Sequence, residues 1–164
     1  MNNIPVPTLI KSIVELLTEA YAGPPDPPRT WFIDNEPDAG ILGLISKVSA
    51  AEASRSLDGS GGPGTTIASH VEHLRWSVAN MNAVLRGEQY GSWSESWQKP
   101  ASDPAGWDQL RGDLRTEFET LRDGLKDQTE LQVEYLSGLI ALVSHAAYHL
   151  GTIRHMISMV RASA

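Results

Sequence analysis

The strongest constraint on the fold is a repeated spacing of apolar residues that only an α-helix can place on one face. Two long segments show it, with apolar residues at spacings of three or four. The first segment carries Ile67, Val71, Leu74, Val78, Met81 and Leu85, and the second carries Trp107, Leu110, Leu114, Phe118, Leu121 and Leu125. Each row predicts a helix with one buried face, as in a helical bundle.

Start and stop signals place the other helices. Thr8 is predicted to cap a first helix that ends at Gly23, and either Thr65 or Thr66 caps the helix beginning near Ile67. Residues 41–55 predict a shorter helix. Asp103-Pro104 is a typical helix start, because aspartate caps well and proline is tolerated in the first turn.

A last long helix is predicted from the capping-box pattern Thr129 to Gln132 as far as about Arg161. Its apolar residues cover more than one stripe: Leu131, Val133, Tyr135, Leu136, Leu139, Ile140, Leu142 and Val143. Such a helix is predicted to lie centrally or to form a dimer interface.

The Gly-rich segment 58–64 and the Trp-bearing segment 88–100 read as loops, and no segment alternates as a strand does. The prediction is an all-α, four-helix bundle with a short additional helix in the first crossover, in a single domain over 1–164.

Composition excludes several classes of function. The chain has no cysteine, so disulfides, thiolate ligands and a cysteine nucleophile are absent from it. A net charge of -7 argues against nucleic acid, because phosphate binding needs clustered Lys and Arg. No apolar run is expected to reach the roughly 18 residues of a membrane span, and no secretory signal pattern opens the chain. We therefore expect no membrane partner and a cytoplasmic location.

Histidines supply the clearest chemical signal. Of the five, His145 and His149 stand four residues apart, so they share one face of the last helix. His70 and His73 lie on the helix that begins near Ile67. If these helices pack side by side, three imidazoles meet, and three histidines with open positions suit Zn or Ni. The alternative is an ordinary pair of hydrogen-bonded side chains. HExxH, the zinc-peptidase motif, is absent.

The segments TIASHVEHLR (66–75) and HAAYHLGTIR (145–154), in this order, resemble the DinB/YfiT-like family over nearly the whole chain. The resemblance implies a four-helix bundle, frequently dimeric, with one metal-ligating histidine on the second long helix and an HxxxH pair on the last. It implies His73, His145 and His149 as ligands, because the family pattern places the first ligand in a His-Leu dipeptide. Periodicity instead puts His70 nearer the buried centre, so His70 stays open as alternate ligand or outer partner.

The resemblance also implies a function: a divalent-metal enzyme acting on a small-molecule substrate, as a thiol-dependent S-transferase or isomerase. Zn or Ni is expected first, then Mn or Fe, with a low-molecular-weight thiol as cosubstrate. The alternatives are a metal-dependent hydrolase and a non-catalytic, stress-associated dimeric bundle. The sequence identifies no general base.

Other conspicuous residues have simpler interpretations. Trp76, Trp107 and Phe118 are predicted in the core or an interface, whereas Trp93 and Trp97 can line a cleft. In the loop 29–40, the apolar residues 31–33 are expected to cover the core or the cleft mouth. Arg154 is expected to pair with a carboxylate on a neighbouring helix, and His155 to lie at the surface or an interface.

Overall fold

A computed structural model describes residues 3–24, 29–89, 91–98 and 102–163. Within these ranges the protein is all-α, with no strand. The α-helices are α1 (Val6–Ala22), α2 (Ile41–Ser46), α3 (Ala50–Ser54), α4 (Ile67–Leu85), α5 (Pro104–Lys126) and α6 (Val133–Ala162), and a 3₁₀ helix spans Trp93–Trp97. The all-α class is confirmed. Part of the predicted loop 88–100, including Tyr90, lies outside the described residues.

The four long helices are arranged as a ring of neighbours. Both α1 and α4 pack against α5 and α6. The core between them contains both rows of apolar residues that predicted α4 and α5, apart from the half-buried Met81 and Leu85. Trp107 and Phe118 are buried there, as expected. Burial of these rows is what fixes the rotation of each helix about its axis.

Several predicted helix ends are confirmed. Thr66 is the N-cap of α4, where its hydroxyl accepts from the Ser69 amide at 3.1 Å. Asp103 caps α5 by accepting from the Gly106 amide at 2.7 Å. Gly23 ends α1 at φ 107°, a backbone conformation that favours glycine.

Two predicted caps are wrong. At the start of the chain, α1 begins at Val6, because the Pro5 carbonyl already accepts from the Thr8 and Leu9 amides. Thr8 therefore lies inside the helix. The capping box from Thr129 does not form either, since α6 begins only at Val133 and no side chain in the described part of the chain caps it.

The single helix predicted over 41–55 is also wrong, because the chain forms α2 and α3 with a break between them. Ser49 and Glu52 make a capping box that starts a new helix. The Val48 carbonyl accepts instead from the Trp107 indole at 2.8 Å. This hydrogen bond joins the segment between α2 and α3 to α5.

Helix α6 packs against α1, α2, α3 and α4, as a helix apolar over a wide arc is expected to do, but it is not enclosed on all sides. Four of its large apolar residues are exposed: Val133, Ile140, Tyr148 and Met159. By length and composition α6 is long and apolar enough to cross a membrane, a test that the core helix of a soluble protein also passes. Polar residues interrupt α6, so the prediction that no unbroken apolar run reaches about 18 residues is not contradicted. The absence of a membrane partner stays a prediction.

The loop that follows residue 28 is held by a buried carboxylate of α1. Glu19 Oε1 accepts from the amides of Trp31, Phe32 and Ile33 at 2.8, 2.8 and 3.1 Å. Only Ile33 of the three is buried, whereas Trp31 is 74% exposed. Of the two expected positions, the core and the cleft mouth, the core is found for Ile33 alone, and the cleft mouth stays a prediction.

Candidate metal centre

Four histidines meet where α4 packs against α6. His70 and His73 come from α4, and His145 and His149 come from α6. One possible ligand atom each from His73, His145 and His149 lies within 4.8 Å of the other two. The three histidines predicted as ligands are thus brought together, and this group can hold a metal ion.

The closest approach joins His73 Nε2 to His145 Nε2 at 2.9 Å. Two metal–nitrogen bonds of about 2.1 Å can span this separation. In the ion-free cluster the same approach is a hydrogen bond in which one nitrogen donates. The ring centres of His149 and His145 are 4.5 Å apart, and those of His149 and His73 are 5.0 Å apart.

Burial does not distinguish His70 from His73, since each is 6% exposed. The periodicity that put His73 farther from the centre was therefore misleading, because the contact with α6 buries a second stripe of α4. His155 is exposed, as expected of a surface residue.

The interior keeps these imidazoles neutral. Burial, followed by the neighbouring histidines, lowers the pKa of His149 to about 2 and that of His73 to about 4. Burial also lowers the pKa of His145 and of His70. At neutral pH the rings therefore carry free lone pairs, which is the form that binds metal.

Polar partners surround the cluster on two sides. His73 Nδ1 lies 2.6 Å from Ser96 Oγ, and His70 lies between the Gly64 carbonyl, at 3.0 Å, and His149 Nδ1, at 2.9 Å. His145 Nδ1 is buried without a hydrogen-bond partner among the described residues. Ser96 was missed by the sequence reasoning, because a serine between two tryptophans carries no ligand or cap signal.

Aromatic rings form a wall on a further side of the histidine cluster. Trp97 stacks on His73 with ring centres 3.9 Å apart and an interplanar angle of 12°. Trp93 lies near His73 and His145, and Tyr148 meets His149 edge-on at 5.0 Å. Both loop tryptophans thus contact the histidines, and their lining of a cleft stays a prediction. Since Trp93 and Tyr148 are exposed, this wall extends to the protein surface.

Two other predicted contacts differ in detail. Arg154 pairs with Asp34 at 2.8 Å and donates to the Ala39 carbonyl, so its partner carboxylate lies in a loop and not on a helix. Trp76 packs against Trp93 at 5.0 Å, beside the aromatic wall.

Comparisons with protein-family models, with curated proteins and with solved structures found no match. The resemblance to the DinB/YfiT-like family therefore stays a prediction.

Proposed function

We propose that this protein is a divalent-metal-dependent enzyme of the DinB/YfiT-like type, in which α1, α4, α5 and α6 form the four-helix bundle. The observation that carries the proposal is the group of His73, His145 and His149, in which three largely buried imidazoles from two helices converge. Three neutral nitrogen ligands suit Zn or Ni, and also Mn or Fe. They leave the ion's double positive charge intact and positions open for a further ligand.

The charge balance of the site favours an anionic ligand. Among the described residues, the hydrogen bonds and ring contacts of the four histidines go to one another, to aromatic rings, to Ser96 and to the Gly64 carbonyl, and none goes to a carboxylate. A bound divalent ion supplies Lewis-acid chemistry, lowering the pKa of a thiol or water ligand so that it becomes a nucleophile near neutral pH.

The resemblance to the DinB/YfiT-like family favours a thiol over water as the nucleophile. A metal held by three histidines can ionise either ligand, so the histidines alone do not rank the two. A thiol needs less help, because it ionises more easily than water. Since the chain has no cysteine, the thiol comes from a separate small molecule. We therefore place thiol-dependent S-transfer or isomerisation of a small electrophile ahead of hydrolysis.

Cobalt substitution tests the proposal. Protein without a histidine tag is loaded with Co²⁺ and titrated with low-molecular-weight thiols while the absorption spectrum is recorded. We expect a sulfur-to-cobalt charge-transfer band that is absent when His145 and His149 are replaced by alanine. Loading without such a band, combined with ester or amide hydrolysis, would support the hydrolase instead. Cobalt loading with neither a sulfur-to-cobalt band nor ester or amide hydrolysis would support the non-catalytic bundle.

A homodimer is part of the proposal. The exposed apolar residues Ile140, Tyr148 and Met159 give α6 a surface that a second copy can cover. Light scattering on the purified protein measures the oligomeric state. The cytoplasmic location and the small-molecule substrate stay predictions.

A further inference from the structure

The four-histidine cluster contains two chains of hydrogen bonds, and each ends on a backbone carbonyl. One runs from His149 through His70 to the Gly64 carbonyl, and the other runs from His73 through Ser96 to the Trp93 carbonyl. A carbonyl oxygen can only accept a hydrogen bond. Each chain therefore has a fixed direction, which assigns the hydrogens along it.

In the first chain the Gly64 carbonyl accepts from His70 Nε2 at 3.0 Å. The neutral ring of His70 then has its lone pair on Nδ1. Since His70 Nδ1 lies 2.9 Å from His149 Nδ1, the hydrogen between them belongs to His149. His149 is thus left with a lone pair on Nε2.

The second chain uses a serine in place of a histidine. Ser96 Oγ donates its single hydrogen to the Trp93 carbonyl at 2.6 Å. The 2.6 Å contact between Ser96 Oγ and His73 Nδ1 then needs a hydrogen from His73. His73 therefore also has its lone pair on Nε2, the nitrogen that faces His145.

Two different local structures make these chains. The Gly64 carbonyl precedes the α4 cap in a turn where Gly64 adopts φ 74°, whereas Ser96 is fully buried in the 3₁₀ helix Trp93–Trp97. Both chains leave the same nitrogen, Nε2, available to a metal. His145 has no such partner in the described part of the chain, since its Nδ1 is buried and unbonded.

We infer that His70 and Ser96 are positioning residues that hold His149 and His73 in the Nδ1–H tautomer, so that both present Nε2 to a metal ion. The inference rests on the proposed metal site and extends it beyond the three ligands. Outer partners of this kind fix ring orientation and ligand basicity, and their loss commonly weakens metal binding by about 10- to 100-fold.

Metal affinity tests the role of each residue, with Zn²⁺ measured by competition against a chromophoric chelator. We expect His70→Phe and Ser96→Ala each to weaken binding by about 10- to 100-fold. His70→Asn and Ser96→Thr keep an acceptor near the original atom and are expected to recover most of the affinity. The exposed His155→Phe is the matched control and should bind like the wild type. Binding by His70→Phe and Ser96→Ala within about twofold of the wild type would overturn the inference while leaving the three-histidine site intact.

The tautomers are read directly in the metal-free wild type, which avoids any effect of the variants on folding. Long-range ¹H–¹⁵N spectra of the imidazoles should show Nδ1–H for His73 and His149 and Nε2–H for His70. An Nε2–H form at His73 or His149 would overturn the inference. Absence of metal uptake by the wild type would defeat the proposed function, and the spectra would still decide the tautomers.

Discussion

Two buried polar regions of this protein are built on opposite plans. Glu19 of α1 is fully buried, and one of its oxygens accepts from three consecutive backbone amides. The four histidines between α4 and α6 are also largely buried, yet most of their contacts are with one another and with aromatic rings. Glu19 Oε1 thus accepts the hydrogen bonds of three loop amides. The histidines instead bring several nitrogen lone pairs close together, with no charged group among their described contacts.

The difference separates a structural polar group from a binding group. Glu19 Oε1 is satisfied by three backbone amides, which would lose their acceptor if the side chain were removed, whereas Glu19 Oε2 is buried with no hydrogen-bond partner among the described residues. Neutral imidazoles that face one another cannot all be hydrogen-bonded, because each N–H hydrogen joins only one pair of ring nitrogens. Some nitrogen lone pairs are therefore left without a partner. A dication satisfies three of them at once. Metal is therefore expected to matter at the histidines and not at Glu19.

The largest effect is expected from removing two ligands. Replacing His145 and His149 together by alanine should reduce Zn²⁺ affinity by roughly a thousandfold or more, because only one of the three proposed ligands, His73, remains. Metal content after dialysis, by mass spectrometry, measures this. The comparison variant Glu19→Gln should retain the wild-type stoichiometry. Equal metal content in the double variant and the wild type would remove the distinction between the two regions.

Truncating Glu19 should affect stability instead. Glu19→Ala leaves three amides of the loop without their acceptor and should lower the free energy of unfolding by roughly 3 kcal/mol. Glu19→Gln keeps one carbonyl oxygen for those amides and should lose less. Urea denaturation of the metal-free protein gives both values. A loss below about 1 kcal/mol for Glu19→Ala would show that the hydrogen bonds from the loop amides to Glu19 contribute little to stability.

Metal itself should stabilise the fold through the histidines. At a free Zn²⁺ concentration about 100 times its Kd, linkage adds about 2.7 kcal/mol to the free energy of unfolding. The rise should appear in Glu19→Gln and vanish in the His145/His149 double variant. Thermal melting with and without Zn²⁺ measures it, and an equal rise in the double variant would place the binding elsewhere.

The smallest effect concerns pH. The pKa of His149 is lowered on folding, so the unfolded chain binds the proton more readily as pH falls below about 6.5. Stability of the metal-free protein should therefore fall with pH. Between pH 6.5 and 5.5, His149→Asn should lose about 1 kcal/mol less than the wild type, because one titrating group is gone. Urea denaturation at both pH values tests this, and an identical loss in both proteins would contradict the lowered pKa.

Much of this architecture follows from local rules. The apolar rows of α4 and α5 and the caps at Thr66 and Asp103 are visible in the sequence, because spacing and capping act within a few residues. The break between α2 and α3 was not predicted, since it depends partly on a bond from Trp107, 59 residues away from Val48. The start of α6 was predicted too early, at Thr129. The residue types of a capping box do not ensure that the capping hydrogen bonds form.

The site was predictable to a similar degree. Spacing alone placed His145 and His149 on one face, and the resemblance added His73. The roles of His70 and Ser96 were not decided by the sequence, because they depend on how the turn at Gly64 and the 3₁₀ helix approach α4. Such contacts between distant segments leave no periodic signal.

The central claim is that an ion binds among three particular side chains. Crystals of tag-free protein grown with Zn²⁺ and measured on either side of the zinc absorption edge test it most directly. We expect one dominant anomalous peak within about 2.1 Å of a nitrogen from each of His73, His145 and His149. A peak ligated by His70 in place of His73 would correct the ligand set, and the absence of any peak at the cluster would contradict the claim.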